Sequence, residues 1–278
     1  MIKRGLEIAG QFLFPNNIYC LICGAMIDES RPYSLCDNCV RELHWINRGQ
    51  QSDGSIQRVC AKCGKALPGT YHGEVCYDCM SHEHFFDKGF SCLTYGLHER
   101  ELMMDLKYNG KSYIAEKMGE ILFDRMKWEL ADFTEDGIAV DIVIPVPISS
   151  GRLRKRGYNQ SELMAKYFVR RWNRELAKAG EAVKTRAPRY DAGTLVRTKN
   201  TKMLRSLDPA ERALAMNGAF AVKSTRKEYL CNKKVLLIDD IYTTGSTVDA
   251  CSKALRQAGV QRIYLLTLAS GGNRKPDT

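Results

Sequence analysis

Beyond residue 90 the apolar positions fall into two kinds of run that alternate along the chain. Ile142-Val143-Ile144 and Val235-Leu236-Leu237-Ile238 are continuous. They lack the polar alternation of a half-exposed strand and predict strands buried on both faces of a parallel sheet. Five β-rich stretches are predicted: Phe90–Tyr95, Asp141–Val146, Gly218–Val222, Lys234–Asp239 and Arg262–Leu268. Between them apolar residues recur at helical spacing. Ile114, Met118, Ile121 and Leu122 mark one helix. Val248, Cys251, Leu255 and Ala258 share a face of another, with Gly259 as its stop. A third begins near Asn159, where Asn159 and Glu162 predict a capping box. This alternation predicts an α/β fold with a mainly parallel sheet flanked by helices.

The N-terminal third is patterned by cysteine instead. Eight of the 11 cysteines form four Cys-x-x-Cys pairs, Cys20/Cys23, Cys36/Cys39, Cys60/Cys63 and Cys76/Cys79. The second set repeats the first after 40 residues, and Gly24 and Gly64 follow the first pair of each copy. Two thiolates separated by two residues in a tight turn can face one metal ion, and two such turns complete a tetrahedral four-sulfur site. In an intracellular chain this spacing points to zinc, two ions for two copies, rather than to disulfides. A redox Cys-x-x-Cys would not account for four copies in register. Spacing leaves open whether each copy closes its own site or the copies share ligands. His72, His82 and His84 are expected as exposed loop residues rather than ligands, and Cys92, Cys231 and Cys251 as buried apolar packing. A double zinc ribbon over residues 1–88 and an α/β domain over 89–278 are the expected modules.

Composition changes this picture little. The 278 residues suffice for one sizeable core and a smaller module, and 44% hydrophobic with 27% charged residues is ordinary for a globular chain. No apolar stretch has the length of a membrane span. Glu7 and Gln11 interrupt the apolar residues near the start, so no signal peptide is read and a cytoplasmic location is expected. Charge is more informative. Of the net +10, residues 20–91 carry −2 and residues 92–278 carry +11. A basic larger module favours phosphates, nucleotides or nucleic acid as partners.

Two loops carry the candidate chemistry. The first runs from the apolar strand through Asp239-Asp240-Ile241-Tyr242 to Thr243-Thr244-Gly245-Ser246-Thr247. Hydroxyls and backbone N–H groups at a helix N-terminus suit a phosphate, and Gly245 lets the backbone approach it. Asp239 and Asp240 could accept hydrogen bonds from vicinal sugar hydroxyls, so the pair suggests a ribose 5-phosphate. Burial of both carboxylates in ion pairs would leave no room for one. The segment is neither a Walker loop nor a Gly-x-Gly-x-x-Gly turn. The second loop follows Pro145-Val146-Pro147 and holds Arg152, Arg154, Lys155 and Arg156 before Gly157, Tyr158, Asn159 and Gln160. Such cations beyond a strand end could hold a pyrophosphate with Mg²⁺ sharing its charge.

The first loop resembles the signature by which type I phosphoribosyltransferases hold phosphoribosyl pyrophosphate (PRPP), with Tyr242 where an aliphatic residue is more usual. Pro-Val-Pro, then Arg-x-Arg-Gly-Tyr-Asn-Gln, then the Asp-Asp loop, behind paired zinc ribbons, resembles the ComF family, which includes ComFC-type competence proteins and GntX-like proteins. Phe12–Pro15, Leu106–Gly110 and Arg197–Thr201 are further matches; Lys202-Met203-Leu204 departs from the pattern.

The resemblance implies that Asp239 and Asp240 bind ribose hydroxyls, Thr243–Thr247 the 5-phosphate, and Arg154, Lys155, Arg156 and Gly157, with Mg²⁺, the pyrophosphate. Arg197 and Lys199 would close over it from a flexible loop. It also implies single-stranded DNA handling in uptake during natural transformation, with a DNA helicase or another uptake protein as a possible partner. Lys184–Arg205, with seven cations against Asp191, is the candidate DNA contact, and Tyr158, Trp172 and Tyr190 are candidate stacking residues. The alternative is an active phosphoribosyltransferase, a Mg²⁺-dependent glycosyl transfer from PRPP to an acceptor for which the sequence offers no site.

Overall fold

The computed structural model describes residues 18–46, 57–131, 134–135, 137–179, 187–199, 216 and 218–272. Two cysteine-rich units come first, containing the short helices α1 (Asp37–Glu42) and α2 (Tyr77–Ser81). The chain continues as β1 (Lys88–Thr94), α3 (Leu97–Tyr108), α4 (Ile114–Met126), β2 (Ile142–Pro145), α5 (Ser150–Arg156), α6 (Gln160–Ala179), β3 (Arg189–Tyr190), β4 (Leu195–Arg197) and β5 (Phe220–Val222). It ends with α7 (Lys227–Leu230), β6 (Lys234–Tyr242), α8 (Ser246–Gln257) and β7 (Arg262–Ser270).

Five strands form one sheet in the order β1-β7-β6-β2-β3, and each neighbouring pair is parallel. Successive side chains of β6 face opposite layers, as the pleat requires. Leu236 and Ile238 pack with α3, α4 and α6, whereas Val235 and Leu237 pack with α8. The continuous apolar runs therefore serve two cores, and the α/β reading holds.

Four details differ from expectation. Phe220–Val222 does not join the sheet; it pairs antiparallel with Leu195–Arg197 in a separate two-stranded ribbon. Arg189–Tyr190 forms the sheet's far edge, too short at two residues to show a periodicity. The last predicted strand residue, Asp239, is passed by three: β6 continues to Tyr242 because β7 pairs with it through Ser270. Asn159 does cap α6, its Oδ1 accepting from the Ser161 N–H at 3.1 Å, but Glu162 engages Tyr190 and the reciprocal box is not made.

The cysteine-rich units clasp the β1 side of the sheet from both faces. Cys20, Leu35, Cys39 and Leu43 of the first belong to the α3–α4–α6 core, and Cys60, Cys63, Leu67 and Cys76 of the second to the α8 core. Between the units the chain passes along β1, where Ile46 N–H donates to Cys92 O (2.7 Å) and Thr94 N–H to His44 O (2.8 Å). This contact covers an edge that would otherwise offer unpaired backbone groups. The second unit presses on β1 through two glycines. A Cβ on Gly64 would lie 2.5 Å from Gly89 O, and one on Gly89 would lie 2.7 Å from Cys63 O. Among the described residues no helix is long and apolar enough to cross a membrane.

Candidate functional site

The strand order creates a crevice. From β2 the chain leaves through α5 and α6 toward β3 at one edge, whereas from β6 it leaves through α8 toward β7 on the other side. α6 packs in one core and α8 in the opposite one. The carboxyl ends of β2 and β6 therefore flank a topological switch point, the place where open parallel sheets bind ligands. Val146 N–H donating to Ile238 O at 2.9 Å closes this pair just before the acidic residues.

Asp239 and Asp240 lie within β6 rather than beyond it, and their partners come from different elements. Asp239 Oδ1 accepts from Ser161 Oγ and from the Asp240 amide, each at 2.9 Å. Burial, and then the charge of Asp240, push the Asp239 carboxyl up to about 7. Asp240 Oδ2 pairs with Lys107 Nζ at 2.5 Å and accepts from Gln160 Nε2 at 3.2 Å. Thus one carboxylate of the pair is engaged in a largely buried ion pair and the other is not.

The turn after them is shaped for an anion. Gly245 adopts φ +90° at the N-cap of α8, a left-handed conformation that favours glycine. Thr243 is exposed, Thr244, Ser246 and Thr247 are half-buried, and Thr244 Oγ1 meets Ser246 Oγ at 3.2 Å. Among the described residues no protein acceptor takes the backbone N–H groups of residues 243–247 in a hydrogen bond.

The cation-rich segment is not a loop. Arg154, Lys155 and Arg156 form the end of α5, whose Ser149 Oγ accepts from the Arg152 N–H, and Gly157 stops it with φ +81°. Arg154, Lys155 and Gly157 are exposed. Arg156 is held: Nη1 donates to Gln160 Oε1 at 2.8 Å, and the guanidinium lies 5.1 Å from the Tyr108 ring centroid. Arg156, Gln160, Asp240 and Lys107 thus form one polar chain between α5, α6, β6 and α3. Arg197, expected in a flexible loop, ends β4 instead, its guanidinium 5.3 Å from the Phe220 ring centroid. Burial and the charge of Arg152 lower its pKa, and the Asp239 carboxylate opposes that shift. Arg152, Arg197 and Asp239 therefore share one electrostatic neighbourhood. Lys199 follows β4, its carbonyl accepting from Arg197 Nε at 3.2 Å.

Each copy of the cysteine repeat closes its own four-sulfur cluster. The ligand atoms of Cys20, Cys23, Cys36 and Cys39, and likewise those of Cys60, Cys63, Cys76 and Cys79, lie within 4.8 Å of one another. The Cys23–Cys36 and Cys63–Cys76 Sγ separations are 3.7 and 3.6 Å. A tetrahedron with Zn–S bonds of about 2.3 Å has edges of about 3.8 Å, so both clusters fit Zn²⁺ and are too open for disulfides. Zinc would act as a cross-link here, joining knuckles most of whose cysteines already lie in or against the cores, with Cys23 exposed.

The histidine expectation fails at His84, which is buried with Nδ1 2.8 Å from Asp249 Oδ2. Cys92 and Cys251 are buried, but Cys231 is exposed. Trp172 is a core residue, and Tyr158 and Tyr190 are half-buried, so none of the three is an open stacking platform. Tyr108, which ends α3, and Tyr113, which precedes α4, are open aromatics at 48% and 55% exposure. Phe12–Pro15, Lys184, Arg186, Asn200, Thr201 and Lys202–Arg205 lie outside the described residues. Sequence reasoning missed Lys107, Gln160 and Ser161 as partners of the acidic pair. The Leu106–Gly110 match was the available signal for Lys107.

Two family profiles match the chain: a double zinc ribbon domain over residues 9–80 and a phosphoribosyl transferase domain over residues 175–278. Competence protein F of Haemophilus influenzae is 28% identical over 238 residues, covering 84% of this chain and 96% of that protein. DNA utilization protein YhgH of Escherichia coli K12 is 23% identical over 243 residues, with the same two coverages of 84% and 96%. Competence protein ComFC of Streptococcus pneumoniae is 23% identical over 273 residues, covering 90% and 98%. Among solved structures, a Staphylococcus aureus hypoxanthine phosphoribosyltransferase aligns with a TM-score of 0.33 at 16% identity, covering 59% of this chain and 68% of that one. The Bacillus subtilis glutamine PRPP amidotransferase aligns at 0.32 and 15%, and this chain spans about a quarter (26%) of its length.

Proposed function

We infer, from the premise that this chain belongs to the ComF family of double-zinc-ribbon, phosphoribosyltransferase-like proteins, that it binds PRPP and handles single-stranded DNA during uptake. The observation that carries the PRPP reading is the switch-point crevice. One of its walls is an acidic pair followed by an anion-ready turn, and from the other, β2, the chain enters α5, whose last turn is cationic. In this reading Asp239 and Asp240 receive the ribose hydroxyls, and Thr243, Thr244, Gly245, Ser246 and Thr247 the 5-phosphate. Arg154, Lys155, Arg156 and Gly157 face the pyrophosphate, with Mg²⁺ sharing its charge, and Arg197 and Lys199 flank it. Lys107 must yield Asp240, or share it, when a diol arrives. The division between the zinc-binding and PRPP-binding modules falls at residues 88/89.

The DNA reading rests on the family and on the charge of residues 92–278, +11. Arg156 against the Tyr108 ring, with the exposed Arg154 and Lys155 in the same turn of α5, supplies the charge-plus-aromatic combination that single strands favour. The alternative reading is a glycosyl transfer from PRPP in which positioning and electrostatics suffice and no covalent nucleophile is needed. Isothermal titration of PRPP with and without Mg²⁺ and an oligonucleotide tests the first reading, comparing wild type with Asp239→Asn/Asp240→Asn. Saturable binding that the double variant loses is expected, and no binding in the wild type refutes it. Pyrophosphate release from PRPP when a nucleobase is added to these mixtures would favour the enzyme.

A further inference from the structure

The second zinc unit reaches the phosphate turn through one side chain. After Cys79 the chain leaves α2 and runs along α8 toward β1. Phe85 N–H donates to Asp249 Oδ1 at 3.3 Å, Arg256 Nε donates to Phe85 O at 3.2 Å, and Asp87 pairs with Arg256 at 2.5 Å. The segment is therefore tied to both ends of the helix whose first turn forms the candidate phosphate site. His84 sits at the end nearer that turn, its side chain 1% exposed. With Nδ1–H donating to Asp249, Nε2 is left to accept from Tyr242 Oη at 3.4 Å. The ring stacks on Phe86 at 5.0 Å between centroids.

This packing leaves the turn little freedom. A Cβ on Gly245 would lie 2.8 Å from Tyr242 Oη, 2.9 Å from His84 Cε1 and 3.2 Å from Asp249 Oδ2. The underside of the turn is thus covered by a residue from the zinc-binding unit, one from the strand before it and one from the helix after it. Tyr242 continues the connection: Lys65 Nζ, buried and paired with Asp78, lies 5.2 Å from its ring centroid. The departure of Tyr242 from the aliphatic pattern has a physical reason here, since an aliphatic side chain could not present a hydroxyl to His84.

We propose that His84 is a positioning residue that holds the Thr243–Thr247 turn in its anion-binding shape, making the second zinc unit a structural wall of the ligand site. Its consequence for affinity rests on the PRPP reading above; its consequence for the turn does not. An imidazole wedged against the outer side of the turn fixes the direction of the N–H groups on the inner side. A site is only as exact as the residues supporting it.

The test uses the zinc-loaded full chain with His84→Ala, His84→Asn, whose Nδ2 can replace Nδ1–H toward Asp249, and His72→Ala as an exposed control. Hydrogen exchange of the 243–250 backbone is measured without ligand, and PRPP affinity by titration. His84→Ala is expected to exchange about ten-fold faster in this segment and to weaken PRPP binding about ten-fold. His84→Asn should recover part of both, and His72→Ala should match wild type. Zinc per chain should stay at the wild-type value. Unchanged exchange in His84→Ala, or loss of zinc from it, overturns the proposal. A wild type that binds no PRPP while His84→Ala still loosens the turn refutes the PRPP reading and leaves this one standing.

Discussion

Replacing Asp239 with Asn should stabilise the ligand-free protein while weakening its ligand site. Asp239 is 9% exposed, holds no cation directly, and has a carboxyl raised to about 7 by burial and by Asp240. An acid whose folded pKa lies above its unfolded value binds protons more tightly when folded, so stability falls as pH rises. The loss begins near the unfolded pKa of about 4 and levels off above the folded value. A shift of about three units at 1.36 kcal/mol each sets a ceiling of about 4 kcal/mol above pH 8, of which about 2–3 kcal/mol develops between pH 5 and 8. Asn keeps the size and can still accept from Ser161 Oγ, but has no charge to bury. Urea denaturation at pH 5 and pH 8 measures this. Wild type should lose about 2–3 kcal/mol across that interval, and Asp239→Asn should lose less and be the more stable of the two at pH 8. Equal pH dependence in both proteins would show that Asp239 is already charged at pH 5 and would refute the reasoning that its burial raises its carboxyl and costs stability.

Further outcomes follow from the same contacts. Lys107→Met strands Asp240 in a site where the pair is 13% and 10% exposed, and should cost about 3 kcal/mol at pH 7 by denaturant titration. Lys111→Met, in a pair with Asp105 whose lysine is itself 43% exposed, should cost less than about 1 kcal/mol. Metal analysis should find two zinc ions per chain. Because cysteines of both clusters lie in the two cores, removing zinc with a chelator should lower the melting temperature of the whole protein and not of a separate N-terminal transition. Under native, zinc-loaded conditions a thiol reagent should modify Cys231 quickly and spare Cys92 and Cys251, whose thiols burial pushes up, Cys92 to about 12. Single-stranded DNA affinity should fall steeply with salt, and Arg154→Ala/Lys155→Ala should flatten the slope by about one to two counterions. An unchanged slope would move the DNA contact away from α5.

What the sequence conveyed and what it withheld divide along a physical line. Strand identity was legible at β6 and β2 because burial on both faces writes four or three apolar residues in a row. The metal clusters were legible because all eight ligands sit at fixed local spacings, and a knuckle is a local structure. The acidic pair and its turn were legible for the same reason, lying within nine consecutive residues. The rest depends on contacts between distant segments. Nothing near His84 announces that it meets Asp249, 165 positions away, or that Lys107 meets Asp240. A buried imidazole and an exposed loop imidazole have the same neighbours in sequence. The β4–β5 pair was misplaced because a three-residue strand carries the same short apolar signal in a sheet or beside one. Even so, one local irregularity pointed at a long-range contact. Tyr242 stands at a position of the motif where an aliphatic residue is more usual, and the structure puts its hydroxyl beside His84 and its ring beside Lys65, at the seam between zinc unit and phosphate turn. A residue that departs from a motif without disturbing its backbone has gained a partner outside the motif. Tyr242→Phe, which keeps the ring and deletes only the hydroxyl, should therefore loosen residues 243–250 in hydrogen exchange while leaving zinc content and the fold unchanged. Protection equal to wild type would show that the ring alone, through packing, holds the seam.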